Sequence, residues 1–293
     1  MIDVHPDQAR TLAAIVAYGT FEAAAGHLRV TASAVSQRVR ALEAAVGRPV
    51  LKRTRPVELT SSGHAVVRFA RQLDMLSADL AEELQPGEGD AGVRLTLIIN
   101  SDSLHTWALP GLAAAADKVQ LEILREDQDY SLELLRSGAA AAAITTTAKA
   151  APGCSSWRLG VMRYLPVCTP DFAARWFPGG ATAKTLATAP VIIFDRKDDL
   201  QDQYLRSVSR TALKPPRHYV PAAHEFGEAI RWSMGWGLLP EIEVSEELKR
   251  RTLVSPDPAA HVDVPLHWQQ WRFGSAALDE VAAAIQAAAR PLR

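Results

Sequence analysis

One face of a predicted helix near the start of the chain carries only small polar, amide and guanidinium side chains. In chain order they are Ser33, Ser36, Gln37 and Arg40. These groups can donate to phosphates, and glutamine and arginine can also pair with adenine and guanine in a major groove. The face therefore predicts DNA recognition, with plain solvation as the alternative for an exposed polar helix face.

Three short helices with clear start and stop residues would position this face. The first extends from Pro6 to Tyr18 and is ended by Gly19, the second follows Thr20, and the third follows Thr31 and ends before Gly47. Apolar residues in the third helix recur at spacings of four, three and four, which is typical of a helix with one buried face. They are Val35, Val39, Leu42 and Val46.

An extended basic segment, residues 49–59, follows the third helix and has Pro56 at its bend. Between Arg29 and Arg55 the chain has seven basic residues and one acid, Glu43, although the net charge of the whole chain is only −1. Local positive charge favours binding to DNA phosphates, with a solvated basic surface as the alternative. The segment predicts a wing beside the three helices.

The order of these residues resembles the signature of LysR-type transcriptional regulators. The resemblance rests on residues 21–25, 31–39, 42–43 and 59–63 together with Leu28, Gly47 and Arg53. It implies a winged helix-turn-helix domain over residues 1–59. The sequence departs from the family at Ala32, where a DNA-contacting glutamine is common, and at Leu51, where phenylalanine is common. The predicted DNA contacts are Thr31, Ser33, Ala34, Ser36, Gln37, Arg38, Arg40, Arg53 and Arg55.

The next segment, residues 60–84, has the pattern of a long helix capped by Thr60. Its apolar residues repeat over two heptads, which predicts a dimerisation seam or, as an alternative, a helix packed on its own domain. The family resemblance implies the seam, and with it a homodimer or homotetramer. Residues 85–92 have the composition of a flexible hinge and complete a linker over residues 60–92. The predicted seam consists of Val66, Phe69, Leu73, Leu76 and Leu80.

The remaining chain alternates between strand-like and helix-like segments, which predicts an open parallel sheet flanked by helices. Strands are predicted over residues 94–100, 119–124, 141–145 and 191–194, and helices over 103–116, 130–136 and 277–289. The alanine run 139–143 is equally compatible with a helix. The resemblance implies a two-lobed α/β effector domain like a periplasmic binding protein, with one lobe over residues 93–163 and 267–293 and the other over 164–266. The fold class is therefore α+β overall.

Two polar clusters follow predicted strands, at residues 100–103 and 145–147. In this architecture, ligands bind at the carboxyl ends of strands and at helix N-termini. Hydroxyl groups there suit an anionic group and Asp102 suits a cation, so together they suit a zwitterion. Ordinary helix capping is the alternative for the first cluster.

A finer resemblance is to the ArgP/LysG subgroup of the family. It rests on residues 100–107, 109–110, 194–199 and 235–240. Members of that subgroup sense basic amino acids such as lysine or arginine and control transport genes, notably those of exporters. A paired carboxylate would stabilise the buried cation of such an effector. The predicted effector contacts are Asn100, Ser101, Asp102, Ser103, Trp107, Thr145, Thr146, Asp195, His224 and Glu225.

Other functional classes find less support. No nucleophile elbow, phosphate loop, dinucleotide fingerprint or zinc motif is present, so an enzyme is not expected. Cys154 and Cys168 are isolated, which argues against a disulfide and structural zinc, and no cofactor is expected. An architectural DNA-binding protein and a regulator with a different effector remain as alternatives.

The expected partners are double-stranded DNA, lysine or arginine, RNA polymerase and a second copy of the chain. The first residues do not have the pattern of a signal peptide, and no apolar run reaches the length of a membrane helix. The sequence therefore predicts a cytoplasmic regulator with no membrane partner, and it leaves open whether transcription is activated or repressed.

Overall fold

A computed structural model describes residues 3–52, 54, 57–84, 93–117, 119–125 and 128–293. The predicted DNA contacts Arg53 and Arg55 and the predicted hinge at residues 85–92 lie outside the described residues. Among the described helices, none is both long enough and apolar enough to cross a membrane.

The N-terminal domain is a three-helix unit with a small hairpin. It contains α1 (Pro6–Tyr18), α2 (Phe21–Leu28), α3 (Ala32–Val46), β1 (Leu51–Lys52) and β2 (Glu58–Leu59). The predicted caps are found, because the side chains of Thr20 and Thr31 accept hydrogen bonds from the first turns of α2 and α3. Gly19 and Gly47 end α1 and α3 in the left-handed region, at φ 78° and 71°. The helix boundaries predicted for this domain are confirmed.

Helix α4 (Ser61–Leu84) joins the two domains and is part of both hydrophobic cores. Thr60 caps it, since its Oγ1 accepts a hydrogen bond from the Gly63 amide at 3.1 Å. Near its start, Val66, Val67 and Ala70 are buried in the N-terminal core. One turn later, Met75 is buried in the core of the C-terminal domain.

The predicted seam on α4 is wrong at Val66, which is only 7% exposed because it packs inside its own N-terminal domain. The other members face outward. Phe69, Leu76 and Leu80 are 39%, 44% and 54% exposed, and Leu73 is half-buried. We call Phe69, Leu73, Leu76 and Leu80 the α4 stripe.

The C-terminal domain begins with a parallel arrangement and continues with long antiparallel strands. Its first part contains β3 (Val93–Ile98), α5 (Ser101–Ser103), a π-helical segment (Leu104–Ala108), α6 (Leu109–Ala113), β4 (Val119–Leu124), α7 (Gln128–Ser137), β5 (Ala142–Thr145) and β6 (Cys154–Val167). Its second part contains α8 (Pro170–Trp176), α9 (Ala183–Leu186), β7 (Val191–Ile193), α10 (Leu200–Val208), β8 (Arg217–Tyr219), α11 (Ala223–Arg231), β9 (Gly237–Pro240), α12 (Glu241–Arg250), β10 (Val262–Trp271) and α13 (Ala276–Ala288).

The predicted open parallel sheet is found in part, because the four predicted strands correspond to β3, β4, β5 and β7 and take part in parallel pairs, whereas the other pairs of the large sheet are antiparallel. In the six-stranded sheet the strand order is β4-β3-β5-β10-β6-β9, and the parallel neighbouring pairs are β3–β4 and β3–β5. Strand β10 runs antiparallel to both β5 and β6, and β6 runs antiparallel to β9. The sequence did not reveal β6 and β10 because neither has the short apolar run, bounded by turn residues, by which buried strands are recognised.

Strands β6 and β10 run through both lobes of this domain. One half of β10 pairs with β5 in the first lobe, and one half of β6 pairs with β9 in the second. The pairing of β10 with β6 shifts register between Leu266 and His267. The predicted lobe boundaries, at 163/164 and 266/267, fall inside these two strands and stay predictions.

The predicted helix 103–116 is found as a continuous helical stretch from Ser101 to Ala113 with a π-helical segment in its middle. Pro110 lacks the amide that would bond one turn back, which disturbs the regular hydrogen-bond ladder there. The predicted C-terminal helix is found as α13, which packs on the first lobe against α6. Trp236, Trp268 and Trp271 are buried in the core, whereas Trp232 is 78% exposed.

Candidate DNA-binding surface and effector site

The polar face of α3 points away from the N-terminal core. Ser33, Gln37 and Arg40 are exposed and Ser36 is half-buried, whereas the valines and the leucine of the predicted stripe have little exposure. The side chains that can read base edges are therefore free to reach a partner. The orientation predicted from the spacing is the orientation found.

The predicted DNA contacts Thr31, Ala34 and Arg38 also have hydrogen-bond partners within the domain. Thr31 accepts a hydrogen bond from the Ala34 amide at 3.2 Å and shares one with the Ser33 hydroxyl at 2.9 Å. Arg38 turns toward α1, where its guanidinium lies 3.4 Å from the Thr11 hydroxyl and 4.0 Å from the carboxylate of Asp7. Arg38 therefore helps to hold α3 against α1.

The wing is a two-stranded hairpin in which Leu51 pairs with Leu59 and Lys52 with Glu58. The Lys52 ammonium lies 2.9 Å from the carboxylate of Glu58. Glu43, the one acid of the basic region, accepts a hydrogen bond from the Val50 amide at 2.9 Å and so ties α3 to the wing. Sequence reasoning missed this contact, because only the folded chain brings the two residues together.

The effector site predicted from sequence begins at a helix N-terminus. The Asn100 side chain caps this helix by accepting a hydrogen bond from the Ser103 amide at 2.8 Å. Asp102 is half-buried and accepts a hydrogen bond from the Tyr164 hydroxyl at 2.7 Å. Burial raises the pKa of Asp102, and the charge on Asp198 acts in the same direction, while the bond from Tyr164 opposes it.

Two further carboxylates lie near Asp102, and we call Asp102, Asp198 and Glu243 the acidic cluster. Burial is also the largest cause of the raised pKa of Asp198 and of Glu243. All three carboxylates lie close enough to Tyr164 to help raise the pKa of its buried hydroxyl, after burial itself. The cluster therefore concentrates negative charge where water screens it poorly.

Glu243 already has one cationic neighbour in the chain. The Arg231 guanidinium lies 3.2 Å from its carboxylate and 2.7 Å from that of Glu247. Nε2 of His105 lies 3.9 Å from the same carboxylate oxygen of Glu243. Because His105 belongs to the first lobe and Glu243 to the second, the acidic cluster lies where the lobes face each other.

A pair of histidines also connects the lobes. The ring of His105, in the π-helical segment, lies 5.8 Å from the ring of His224 on α11, measured between centroids. His224 was predicted as an effector contact and His105 was not. Both side chains are exposed, so the pair forms part of the surface of the cleft between the lobes.

The other predicted residues of the first lobe line its inner side. Thr145 is buried, donates a hydrogen bond to the carbonyl of Thr147 at 3.1 Å, and lies 3.3 Å from the amide nitrogen of Gln269. Ser101 and Thr146 are half-buried. The Ser103 hydroxyl and the Trp107 indole nitrogen are buried without a hydrogen-bond partner in the described part of the chain.

Asp195 and Glu225, two predicted effector contacts of the second lobe, are not part of the acidic cluster. The carboxylate of Asp195 accepts hydrogen bonds from the amides of Lys197 at 2.7 Å and Asp198 at 3.0 Å. It thereby shapes the loop that presents Asp198, and the prediction that Asp195 contacts the effector stays a prediction. Glu225 is exposed on α11 beside His224.

Sequence reasoning missed Tyr164, Asp198, Glu243, His105 and Arg231. Asp198 and His105 lie inside segments that the subgroup resemblance singled out, so a residue-by-residue examination of those segments could have found them. Tyr164 lies on the unrecognised strand β6, and nothing local marks Glu243. Among the described residues, no group of three or more histidine, cysteine or acidic side chains is arranged to hold a metal ion.

Comparison with known families agrees with both halves of the structure. Residues 6–64 match the family model of the bacterial regulatory helix-turn-helix proteins of the lysR family. Residues 88–290 match the LysR substrate binding domain. The chain belongs to the LysR family. Its resemblance to that family is thereby confirmed, and a purely architectural DNA-binding protein does not account for the second match.

Similar full-length proteins narrow the position within the LysR family. The HTH-type transcriptional regulator LysG of Mycobacterium tuberculosis is 38% identical over 294 residues, with 100% of this chain and 96% of that protein covered. The lysine export transcriptional regulatory protein LysG of Corynebacterium efficiens is 40% identical over 290 residues, with 98% of each covered. These relatives are regulators and not enzymes, so the predicted subgroup and the predicted lack of enzymatic function are confirmed.

Two solved structures share the whole architecture of this LysR-family chain. ArgP from M. tuberculosis superposes with a TM-score of 0.89 at 38% identity, with 97% of each chain covered. Full-length LysG from Corynebacterium glutamicum, described with bound effector Arg, superposes with a TM-score of 0.85 at 37% identity, with 99% of each chain covered. The winged helix, the linker helix and the two-lobed domain therefore follow the family fold.

The exposed face of α3 leads to a prediction about DNA affinity. Replacing Gln37 or Arg40 by alanine should each weaken binding to a specific DNA site by about 1–3 kcal/mol, the usual contribution of a bidentate base contact. The site would be selected by the wild-type protein from a random pool, and dissociation constants would be measured on it and on random DNA. Arg210→Ala, which removes an exposed guanidinium from the C-terminal domain, is the matched control. Equal losses on both DNAs would show that the two residues contact only phosphates.

Proposed function

We propose that this LysR-family regulator senses arginine or lysine in the cleft between its lobes and controls genes for amino-acid transport or export. The observation that carries the proposal is the acidic cluster of Asp102, Asp198 and Glu243 at the cleft. Carboxylates with little access to water bind a guanidinium or ammonium group strongly, because a charge-assisted hydrogen bond there replaces unfavourable burial of charge.

The surroundings of the cluster suit the other end of an amino acid. The helix that begins at Ser101 and the hydroxyls of Ser101 and Thr146 lie on the first lobe, on the same side as Asp102. Helix N-termini and hydroxyl donors stabilise a carboxylate. The C. glutamicum LysG described with bound effector Arg and the C. efficiens regulator of lysine export, both similar over nearly the whole chain, support the same class of ligand.

The response to the effector follows from the two-lobed design. A ligand that contacts both lobes favours the closed arrangement only to the extent that it binds that arrangement more tightly. Closure would then shift the relative placement of the DNA-binding domains on an imperfect palindrome near a promoter. In this proposal the regulator acts in the cytoplasm as a homodimer or homotetramer and regulates transcription through RNA polymerase.

Calorimetry with matched ligands tests the proposed effector. We expect saturable binding of arginine or lysine, and at least about tenfold weaker binding of citrulline and norleucine, because a hydrogen bond to a charged group contributes about 1.5–3 kcal/mol. Citrulline and norleucine keep the shape of arginine and lysine and lack the side-chain charge. Asp102→Asn should lower arginine affinity by a similar factor, while Asp171→Asn, at an exposed position on α8, should not. Absence of saturable heat with both cationic amino acids would refute the proposal and leave a different effector.

Arginine binding should also release protons. Burial raises the pKa of Asp102, Asp198 and Glu243, so part of the cluster is still protonated just above the ordinary carboxyl pKa of about 4. A bound cation favours the ionised form and expels those protons, so arginine affinity should increase as pH rises through this range. Titrations at one pH in two buffers with different ionisation enthalpies measure the release. Binding heats that do not depend on the buffer would contradict this expectation.

We further propose that two chains pair through the α4 stripe. Its residues form an exposed apolar row, and each leucine that becomes buried contributes about 1.5–3 kcal/mol. The double variant Leu76→Arg, Leu80→Arg should therefore raise the dimer dissociation constant at least about a hundredfold, as measured by sedimentation velocity over a concentration series. Ala81→Arg, exposed on the same helix outside the stripe, is the control and should leave the dimer intact. An unchanged dimer in the double variant would place the interface elsewhere.

A further inference from the structure

Two arginines of α4 bind the end of α7 and the loop that follows β5. The guanidinium of Arg68 donates to the carbonyl of Pro152 at 2.9 Å and lies 3.4 Å from that of Arg136. Arg71 donates to the carbonyl of Gly138. The carbonyls of Arg136 and Gly138 lie at the C-terminal end of α7, where the helix dipole favours a cation. The linker helix is thus bound to the first lobe by charge-assisted hydrogen bonds.

The backbones also approach closely at this contact. Gly138 has φ 80°, and a Cβ atom there would lie 2.6 Å from Cα of Arg68. Gly153 has φ 80° as well, and a Cβ atom there would lie 3.2 Å from the guanidinium carbon of Arg68. Glycine at both positions allows α4 to lie directly on the first lobe. The contact is therefore close enough that a displacement of the loop must either move Arg68 or break its hydrogen bond.

The other end of the same loop is the predicted effector site. The loop between β5 and β6 begins at Thr146 and reaches Pro152, so it extends from the cleft to α4. Gln269 is fully buried beneath it. Its amide nitrogen donates to the carbonyls of Thr147 and Lys149, both at 3.0 Å, and its amide oxygen accepts from the Ala151 amide at 2.8 Å. One side chain of β10 thus holds three positions of the loop, so a shift of β10 or of the loop at Thr147 is passed along the loop toward Pro152.

Arg68 is also attached to the DNA-binding half of the chain. Its neighbours Val66, Val67 and Ala70 on α4 are buried in the N-terminal core. A shift of α4 at Arg68 is therefore passed to the domain that contains the polar face of α3.

We infer that Arg68 is a positioning residue that couples the effector site to the DNA-binding domain through its hydrogen bond to the β5–β6 loop. This inference rests on the proposed function, since it requires an amino acid bound beside Thr146. Occupation of the cleft displaces the loop, and the bond between Arg68 and Pro152 transmits that displacement to α4. Two sites are allosterically coupled when both bias the same element, which here is α4.

Hydrogen–deuterium exchange of the full chain with and without saturating arginine tests this coupling. In the wild type, arginine should change the exchange rates of peptides covering residues 146–153 and residues 61–76, by about fivefold or more at the most responsive amides. In Arg68→Ala the loop should still respond and α4 should not. Arg68→Lys retains a donor for Pro152 and should restore part of the α4 response. Arg71→Ala, which removes a contact to α7 and none to the loop, is the matched control and should respond like the wild type.

Calorimetry on the same samples separates this inference from the proposed function. Arginine should bind the wild type, Arg68→Ala and Arg71→Ala with dissociation constants within about threefold, because none of these residues lies in the cleft. If the wild type does not bind arginine, the proposed function fails and the coupling fails with it. If arginine binds and α4 responds equally in Arg68→Ala, or if Arg71→Ala loses the response as fully as Arg68→Ala, the coupling does not depend on Arg68 and the inference is overturned.

Discussion

The whole structure depends on one helix being packed into two cores. Near its start, α4 buries three apolar residues among the helices of the N-terminal domain, and a turn later it buries Met75 against the sheet of the C-terminal domain. A helix fixed in this way cannot rotate freely between the domains, because rotation would expose one set of residues or the other. The relative placement of the two domains in one chain is thus set by packing along α4, and the arginine contacts to α7 strengthen it.

Whereas the packing of α4 stabilises the fold, the acidic cluster is expected to destabilise it when no cation is bound. Burial raises the pKa of all three carboxylates, one of them accepts a hydrogen bond from Tyr164, and Arg231 pairs with Glu243. Negative charge held away from water lowers stability until a cation arrives. The same electrostatic repulsion that lowers the free energy of unfolding when the site is empty also favours binding of a cation.

Local signals in the sequence were sufficient for the N-terminal domain. Thr20, Thr31 and Thr60 cap helices where their positions indicate, Gly19 and Gly47 end them, and the spacing of Val35, Val39 and Leu42 gives the buried face of α3. The spacing of the apolar residues on α4 was also recognised from sequence. The residue at which α4 leaves the N-terminal core was not. Val66 obeys the same periodicity as Leu76, and only the tertiary fold decides that one is covered and the other is not.

The candidate effector site was less predictable from sequence than the N-terminal domain, because residues from distant parts of the chain form it. Short polar motifs after strands identified the first lobe, since Asn100 caps a helix and Asp102 follows it closely. The second half of the site comes from residues far away in the chain. Tyr164, Asp198 and Glu243 acquire meaning only when β6 crosses between the lobes, and long antiparallel strands of mixed polarity carry no clear local signature. The family resemblance implied a cleft, and the carboxylates proposed to bind the effector became apparent only in the structure.

The crossing of β6 and β10 has a mechanical consequence. Because both strands continue from one lobe into the other, the lobes cannot slide past each other without breaking the ladder that joins β6 to β10. A rocking motion that bends both strands where the register changes, beside Leu266, would leave that ladder intact. Residues at that pivot travel little and residues at the rim travel far. Tyr164 lies four residues along β6 from Gly160, the partner of Leu266, so the hydroxyl that donates to Asp102 shifts its position when the strand bends there.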